Sequence, residues 1–432
     1  MSFLEIIKKF LYKNLNLKRP ILFAYSGGVD SSCLLDLLLK CKNEIPFEMH
    51  VVHIDHGWRK ESKKEASIIK EKMKKLNICF HLKKIEIKSS KNLENVCRNM
   101  RLDFFKYLFK KYNFQALILA HQKDDLAETV LKRVLEGANI FSLTSMQEVS
   151  TFEKMTIWRP LLAISRKDIL SYLNENNIEF FQDATNENVK YLRVKIRKDI
   201  LPYLQKNFNK KIIDNLVAMS SYSLEVNNYL QKKIEPYLSK MHSNSFGIYI
   251  DLNEINEFLE IKYIIKKIAN LRNIDLSRDL LSKLAFWILE KRSNLRLKLK
   301  NADVFADRGY FFIIKKDFES FNEKLLLEIG VFYFGPWQIE VKKTDQSGLN
   351  SSWFDFFMNK LNIYIPEDKY FIYYPSQNKK LKKIWENNKV PSFLRRMIPV
   401  VCNENKVTYE FLSGRKLQLK GKKNLQISLK LK

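Results

Sequence analysis

The sequence predicts an α/β fold: a parallel sheet with helices on both faces, then a helical stretch and a small α+β region. Three observations carry this. Apolar runs alternate with helical patterns from residue 21 to residue 136, the rhythm of βαβ units. The first run leads straight into Ser26-Gly27-Gly28-Val29-Asp30-Ser31. Other polar clusters fall at the ends of later runs, the edge on which right-handed crossovers place ligand sites.

The elements follow in order. Residues 1–18 read as an amphipathic helix with Phe3, Leu4, Ile7, Phe10 and Leu11 on one face. Residues 21–25 are a buried strand and 32–42 a leucine-rich helix. Residues 47–54 are a strand ending at Asp55-His56-Gly57. A charged helix over 61–76, a strand over 78–87 and a helix over 93–112 come next. A short strand, 116–120, ends at His121, and a helix spans 124–136. The first domain is expected to close near 205–215, after Leu201-Pro202. Residues 215–234 and 277–291 have helical spacing, and residues 310–314 look like a strand. From Gly330, short alternating segments at 331–334, 337–342, 363–365 and 370–374 predict a small α+β domain.

The strand-end clusters carry the chemistry. A Gly-rich turn between a strand and a helix brings backbone N–H groups against phosphate oxygens. Ser26 and Ser31 add hydroxyl donors. Asp30 repels phosphate, so it fits only with a hard cation such as Mg²⁺ between them. The second cluster is Leu119-Ala120-His121-Gln122-Lys123-Asp124-Asp125-Leu126-Ala127-Glu128, followed by Thr129. Asp124 can serve as a simple N-cap of the helix it opens. Asp125 and Glu128 are i,i+3 neighbours and can converge with His121 at the helix mouth. A histidine beside two carboxylates can bind metal or move protons.

Composition points to a polyanionic partner. Lys and Arg outnumber Asp and Glu by 76 to 48, a net charge of +28, which favours nucleic acid. The competing explanation is a compositional bias toward Lys, Asn and Ile. The five cysteines are Cys33, Cys41, Cys79, Cys97 and Cys402. They show no Cys-x-x-Cys spacing, which argues against a disulfide framework, a zinc site or a cluster. The first nineteen residues lack a signal-peptide core, and no apolar run reaches the roughly 18 residues of a membrane span. The expectation is a cytoplasmic protein with no membrane role; a homodimer stays open.

The loop lacks the Gly-Lys-Ser/Thr ending of the usual P-loop. It resembles instead the pyrophosphate loop of the N-type ATP pyrophosphatases, which split ATP into AMP and pyrophosphate on a Rossmann-like parallel sheet. Further strings narrow the resemblance. Asp55-His56-Gly57 with Ala120-His121-x-x-Asp124-Asp125-x-x-Glu128-Thr129 is similar to the tRNA(Ile)-lysidine synthetases. So are Asn92-Leu93-Glu94 with Arg98 and Arg101, the Arg159-Pro160-Leu161-Leu162 step, and Asp183-Ala184-Thr185-Asn186 followed by Tyr191, Arg193 and Arg197. Near the C-terminal end, Lys380-Leu381-Lys382-Lys383-Ile384, Val390-Pro391, Arg395 and Ile398-Pro399 resemble that family's last domain. Two departures stand out: Gln122 replaces the second His of the usual His-His pair, and Val194 replaces an Asn.

The resemblance implies a ligase that adenylates the wobble cytidine of a CAU-anticodon isoleucine tRNA and replaces the oxygen with L-lysine. It implies ATP as substrate and Mg²⁺ as cofactor. ATP would meet Ser26, Gly27, Gly28, Val29, Asp30, Ser31 and Asp55, with Asp30 as the metal anchor. Asp30, Arg101, His121, Asp125 and Glu128 would be catalytic, with His121 and Asp125 both open as proton acceptor or positioner. Arg193, Arg197, Lys380, Lys382, Lys383 and Arg395 would bind tRNA. On charge alone, the Lys380–Lys383 run is equally a solvated helix turn, with Leu381, Ile384 and Trp385 on its buried side. The expected domains are 1–210 (catalytic), 211–310 (helical, tRNA docking) and 330–432 (small α+β, tRNA binding). A 2-thiocytidine synthetase would share the loop but usually carries paired cysteines. A small-molecule amidating synthetase would not need the charge or the long C-terminal half. A non-catalytic RNA-binding protein would not need Asp30, His121 and Asp125.

Overall fold

Ser2 starts the first helix, α1 (Phe3–Asn14), with a reciprocal cap: its hydroxyl accepts the Glu5 N–H, and Glu5 accepts the Ser2 N–H. In this computed structural model the described residues are 2–55, 57, 62–85, 93–144, 146–181, 192–208, 210–316, 324–345, 349–358, 360–375, 378–404, 408–415 and 424–431. They fall into two units, divided between Asn227 and Asn228.

The first unit is built on β1 (Ile21–Ala24), β2 (Met49–Asp55), β3 (Cys79–Lys84), β4 (Ala116–Ile118), β5 (Val149–Phe152) and β6 (Met155–Trp158). Their order is β3-β2-β1-β4-β6-β5. All neighbours pair in parallel except β5, which folds back on β6. The helices are α2 (Val29–Lys42), α3 (Ser62–Lys75), α4 (Leu93–Tyr112), α5 (Lys123–Leu135), α6 (Ile140–Leu143) and α7 (Arg166–Glu175). Strand residues alternate between two apolar clusters. Ile21, Phe23, Met49, Val51, Ala116 and Ile118 join one, while Leu22, Val52 and Leu117 join the other. Both faces of the central β1, β2 and β4 are therefore dry, which explains why these strands read as continuous apolar runs.

The β5–β6 hairpin was not expected. Its two turn residues, Glu153 and Lys154, both sit at positive φ, 45° and 70°. That is type I′ backbone, built here without the Asn-Gly pair that normally signals it.

After β6 the chain passes through α8 (Leu192–Lys195), a single π turn at Ile196–Ile200, and α9 (Leu201–Phe208). Pro202 has no N–H to give the Lys198 carbonyl, so the ladder widens, and Leu201 N–H reaches Ile196 O instead. The helix α10 (Ile212–Leu238) follows.

The stretch expected to be helical, 211–310, begins with α10, which starts in the first unit, and carries helices α11 (Phe258–Leu271) and α12 (Arg278–Leu289) in the second. It also builds much of a five-stranded antiparallel sheet. Its strands are β7 (His242–Ser243), β8 (Gly247–Asp251), β9 (Leu295–Lys298), β10 (Ala302–Asp307) and β11 (Tyr310–Lys315). Of these only β11, Tyr-Phe-Phe-Ile-Ile-Lys, was legible as an aromatic and β-branched run; β10, Ala-Asp-Val-Phe-Ala-Asp, is interrupted by two aspartates and two alanines.

Two four-stranded sheets complete the unit. They contain β12 (Lys324–Leu327), β13 (Gly330–Phe334), β14 (Trp337–Thr344), β15 (Lys360–Pro366), β16 (Tyr370–Tyr373), β17 (Val400–Asn403), β18 (Thr408–Tyr409) and β19 (Asn424–Leu431). Two further helices are α13 (Lys379–Asn387) and α14 (Leu394–Met397). One buried cluster joins Tyr249, Phe305 and Phe312 to Trp337, Trp353, Ile363 and Ile427. Among the described residues no helix is long and apolar enough to cross a membrane.

Candidate active site

The C-terminal ends of β1, β2 and β4 lead to Ser26–Ser31, Asp55 and His121, as the alternation of elements predicts. The loop after β1 turns on Gly27, whose φ is +83° and whose added Cβ would lie 2.4 Å from the Phe181 ring. Only glycine fits there. Gly28 begins α2 without a capping side chain, so the first-turn N–H groups keep no side-chain partner of that kind. Ser26 Oγ is 2.9 Å from Ser31 Oγ and accepts the Gly28 N–H. Ser31 is buried, and its hydroxyl donates to Gly28 O. Val29 is the first residue of α2.

Asp30 sits in the first turn of α2 with Oδ1 buried and without a hydrogen-bond partner. Its other oxygen is 3.6 Å from Arg166 Nη1. Burial, with repulsion from Asp125, raises the carboxyl from 3.8 to about 6, and Arg166 and Arg197 offset only part of this. An orphaned carboxylate oxygen is what a hard divalent cation requires, so the residue fits the Mg²⁺ anchor expected for it. Asp55 shows the opposite behaviour. Burial works against its charge, but the Gly57 N–H at 2.9 Å, the Ser62 hydroxyl, and the His53 and Lys84 charges outweigh it. They hold the carboxyl below its usual range. His56, Asn92, Tyr191 and the 183–186 string lie outside the described residues.

The cap of α5 is Gln122, not Asp124. Gln122 is fully buried, its Oε1 accepts the Asp124 N–H, and its own N–H donates to Asp125 Oδ2. Asp124 accepts the Arg166 N–H at 2.9 Å, tying α5 to the start of α7. The residue at the family's second His position is thus the helix cap here.

Asp125 and Glu128 do converge, but on two arginines. Arg193 Nη2 and Arg197 Nη2 each donate to Asp125 Oδ1 at 2.9 Å. Arg193 Nε donates to Glu128 Oε2 at 3.0 Å, and Arg197 Nε donates to Glu128 Oε1. Asp125 and Glu128 are 7% and 1% exposed, while the Arg193 side chain is 50% exposed. Arg193 and Arg197 are four residues apart, across the junction of α8 and the π turn, and face α5 together. They were expected at tRNA; the structure brings their donor edges to carboxylates.

His121 stands apart from this quartet. Arg159 Nε donates to its Nδ1 at 3.3 Å, while Arg159 Nη1 is held by Gln147 O and Ser150 Oγ. That contact leaves the imidazole proton on Nε2. Burial drives its pKa down to about 4, aided by the Arg159, Arg193 and Arg101 charges and opposed by Asp125. His121 is a neutral donor at physiological pH. Arg101 is exposed on α4, and its charge reaches His121.

Sequence reasoning missed Arg166. Its tie to Asp30 spans 136 residues of chain and has no local signature.

In the second unit, Lys380, Lys382 and Lys383 are exposed on α13, which Asn378 caps. Leu381 and Trp385 are buried on its other side, as the sequence predicted, and Ile384 is half-buried. Arg395 differs from expectation. Its guanidinium donates twice to Val390 O, at 3.1 and 2.8 Å, and faces Glu386 at 3.6 Å. Only 14% of its side chain is exposed, so it holds the turn between α13 and α14.

Comparison with known proteins accords with this geometry. Residues 2–204 match the PP-loop domain family and residues 366–409 the TilS substrate C-terminal domain family. The chain is 34% identical to a tRNA(Ile)-lysidine synthase of Protochlamydia amoebophila, covering 99% of this chain and 97% of that one. It is 34% identical to the tRNA(Ile)-lysidine synthase of Chlamydia muridarum over 68% of this chain and 91% of the other. The Chlamydia caviae protein of that name is 32% identical over 70% and 95%. A PP-loop at the ends of a parallel sheet, matched along its whole length by such a relative, places the chain in the tRNA(Ile)-lysidine synthase family.

Proposed function

We propose that the chain joins free L-lysine to carbon 2 of the wobble cytidine in a CAU-anticodon isoleucine tRNA, splitting ATP into AMP and pyrophosphate. The observation that carries this is the likeness to a tRNA(Ile)-lysidine synthase over 99% of the chain. In the first step the cytidine O2 attacks the α-phosphorus of ATP, and pyrophosphate leaves. In the second the lysine ε-amine adds to carbon 2, the adenylated oxygen departs as AMP, and a proton passes to solvent.

The residues divide the work. The uncapped first turn of α2, with Ser26 and Ser31, binds the pyrophosphate portion and meets the charge that builds there. Asp30, with Oδ1 unpartnered, is the residue to hold Mg²⁺, which when bound neutralises phosphate charge. Asp55, kept ionised by the Gly57 N–H, is an acceptor for nucleotide donors. Arg101 adds positive charge on the phosphate side. Arg193 has its donor edge on Asp125 and Glu128 and half of its side chain open, which leaves the planar face for a cytosine. Asp125 and Glu128 position that arginine. His121 is low in basicity and carries its proton on Nε2. We therefore assign it to orienting an acceptor atom of the substrate, in preference to deprotonating the lysine ammonium. Lys380, Lys382 and Lys383 are exposed toward tRNA phosphates, Lys382 alongside a solvent-exposed pair with Glu386 at 3.9 Å.

The test is incubation with ATP, Mg²⁺, labelled lysine and CAU-anticodon isoleucine tRNA. Label entering the tRNA with matching AMP release is the expected result. Label that stays free while AMP accumulates on another acceptor overturns the assignment.

A further inference from the structure

At the opposite edge of the same sheet lies a cluster that this chemistry does not use. His50 is directly opposite Cys79 in the parallel β2–β3 register, and His81 follows Cys79 by two residues. The three side chains therefore share one face of the sheet, at its edge strand. One donor atom from each lies within 4.8 Å of the other two. His50 Nδ1 and His81 Nε2 are 3.0 Å apart, and Cys79 Sγ is 3.7 Å from the same His81 nitrogen.

The geometry points to a binding site for a zinc-class divalent cation held by His50 Nδ1, Cys79 Sγ and His81 Nε2, with solvent in the fourth position. Zinc prefers this donor set, with Zn–N of about 2.0–2.1 Å and Zn–S of about 2.3 Å in a tetrahedron. The edges of that tetrahedron come to about 3.3 Å between nitrogens and about 3.6 Å between nitrogen and sulfur. The His50–His81 and Cys79–His81 separations need to change by only a few tenths of an ångström, and the His50–Cys79 separation, which is within 4.8 Å, has to come to about 3.6 Å.

The surroundings are those of a ligand set. Glu48 Oε1 is 2.9 Å from His50 Nε2. It thus takes the Nε2 proton and turns the Nδ1 lone pair toward the cluster, the second-shell role carboxylates play at zinc histidines. The Tyr112 and Phe114 rings lie 5.2 and 5.0 Å from His50 and restrict its rotation. Cys79 is exposed and gives the ion a way in. Binding releases the thiol proton to solvent. Lys111 opposes the cation and Glu48 favours it. Asp55 lies five residues further along β2 than His50, about 17 Å at strand rise, so this centre is separate from the nucleotide edge. Its effect is to pin edge strand β3 to β2.

The test uses the full chain, stripped with chelator and then titrated. Zn²⁺ against a chromophoric chelator is expected to bind one equivalent at micromolar affinity or tighter. Co²⁺ is expected to give intense tetrahedral ligand-field bands and a near-ultraviolet thiolate charge-transfer band. Cys79→Ser abolishes the charge-transfer band, and His81→Gln weakens Zn²⁺ binding at least tenfold. The Co²⁺ spectrum of the unaltered chain decides independently of whether a variant folds. No stoichiometric Zn²⁺ uptake, a six-coordinate Co²⁺ spectrum without the thiolate band, or binding indifferent to both substitutions overturns the site.

Discussion

Two acidic regions meet at the strand-end edge, and they are satisfied in opposite ways. Asp30 has one oxygen buried with no partner and the other 3.6 Å from Arg166. Asp125 and Glu128 are more deeply buried, yet together accept five hydrogen bonds from Arg193 and Arg197. A buried carboxylate is costly unless it is paired. The second region meets that cost inside the chain. The first leaves it open, as a residue does when its partner arrives with the substrate. Buried charge therefore has two meanings within one site: an internal clamp, and, in the function proposed above, a seat for an external cation.

The contrast breaks most visibly at Asp30. Asp30→Ala is expected to lower lysine transfer by about 10²–10³-fold or more, the scale of losing a main stabiliser of developing charge, with tRNA affinity in a filter or anisotropy assay changed less than about threefold. A variant with unchanged turnover would remove Asp30 from the metal role. Glu128→Ala attacks the clamp. Breaking a fully buried pair costs about 3–5 kcal/mol. Because the Arg193 and Arg197 side chains are 50% and 32% exposed, a loss of about 2 kcal/mol is expected in urea unfolding. Turnover should fall with it, since Arg193 loses a fixed orientation.

Asp30→Asn sharpens the comparison through stability. The folded carboxyl titrates at about 6, above the 3.8 of an ordinary aspartate. The folded chain thus binds the extra proton between those values, and stability falls as pH rises through that window. In EDTA the asparagine variant is expected to be more stable than the parent at pH 8, by about 1 kcal/mol after allowing for the lost Arg166 contact, with the gain vanishing near pH 4. A loss at pH 8 would mean the carboxylate is already satisfied. The smallest effect is expected outside both regions. Replacing Lys380, Lys382 and Lys383 by Gln should weaken tRNA binding a few-fold and flatten its salt dependence by about two to three charges, leaving the unfolding midpoint within about 0.5 kcal/mol.

Much of this was legible because it is local. The Gly27 turn, the strand ends and the buried side of α13 each follow from a few adjacent residues. The β19 strand carries the same local signal, the alternation of Leu425, Ile427 and Leu429, but was not among the expected segments. The β5–β6 hairpin had no turn signal. The partners of Asp125 and Glu128 lie 65 to 72 residues away, and spacing along a chain carries no information at that range.

The amino-acid sequence by itself determined the parallel sheet, the Gly-rich loop and polar clusters at its strand ends, and the family. Periodicity and turn chemistry are properties of neighbouring residues. Only the tertiary structure decided which charges are satisfied: Arg193 and Arg197 as partners of Asp125 and Glu128, Gln122 as a helix cap, Arg395 as a turn brace, and His50 opposite Cys79 and His81. Burial and pairing depend on distances between residues far apart in the chain, and folding sets those distances.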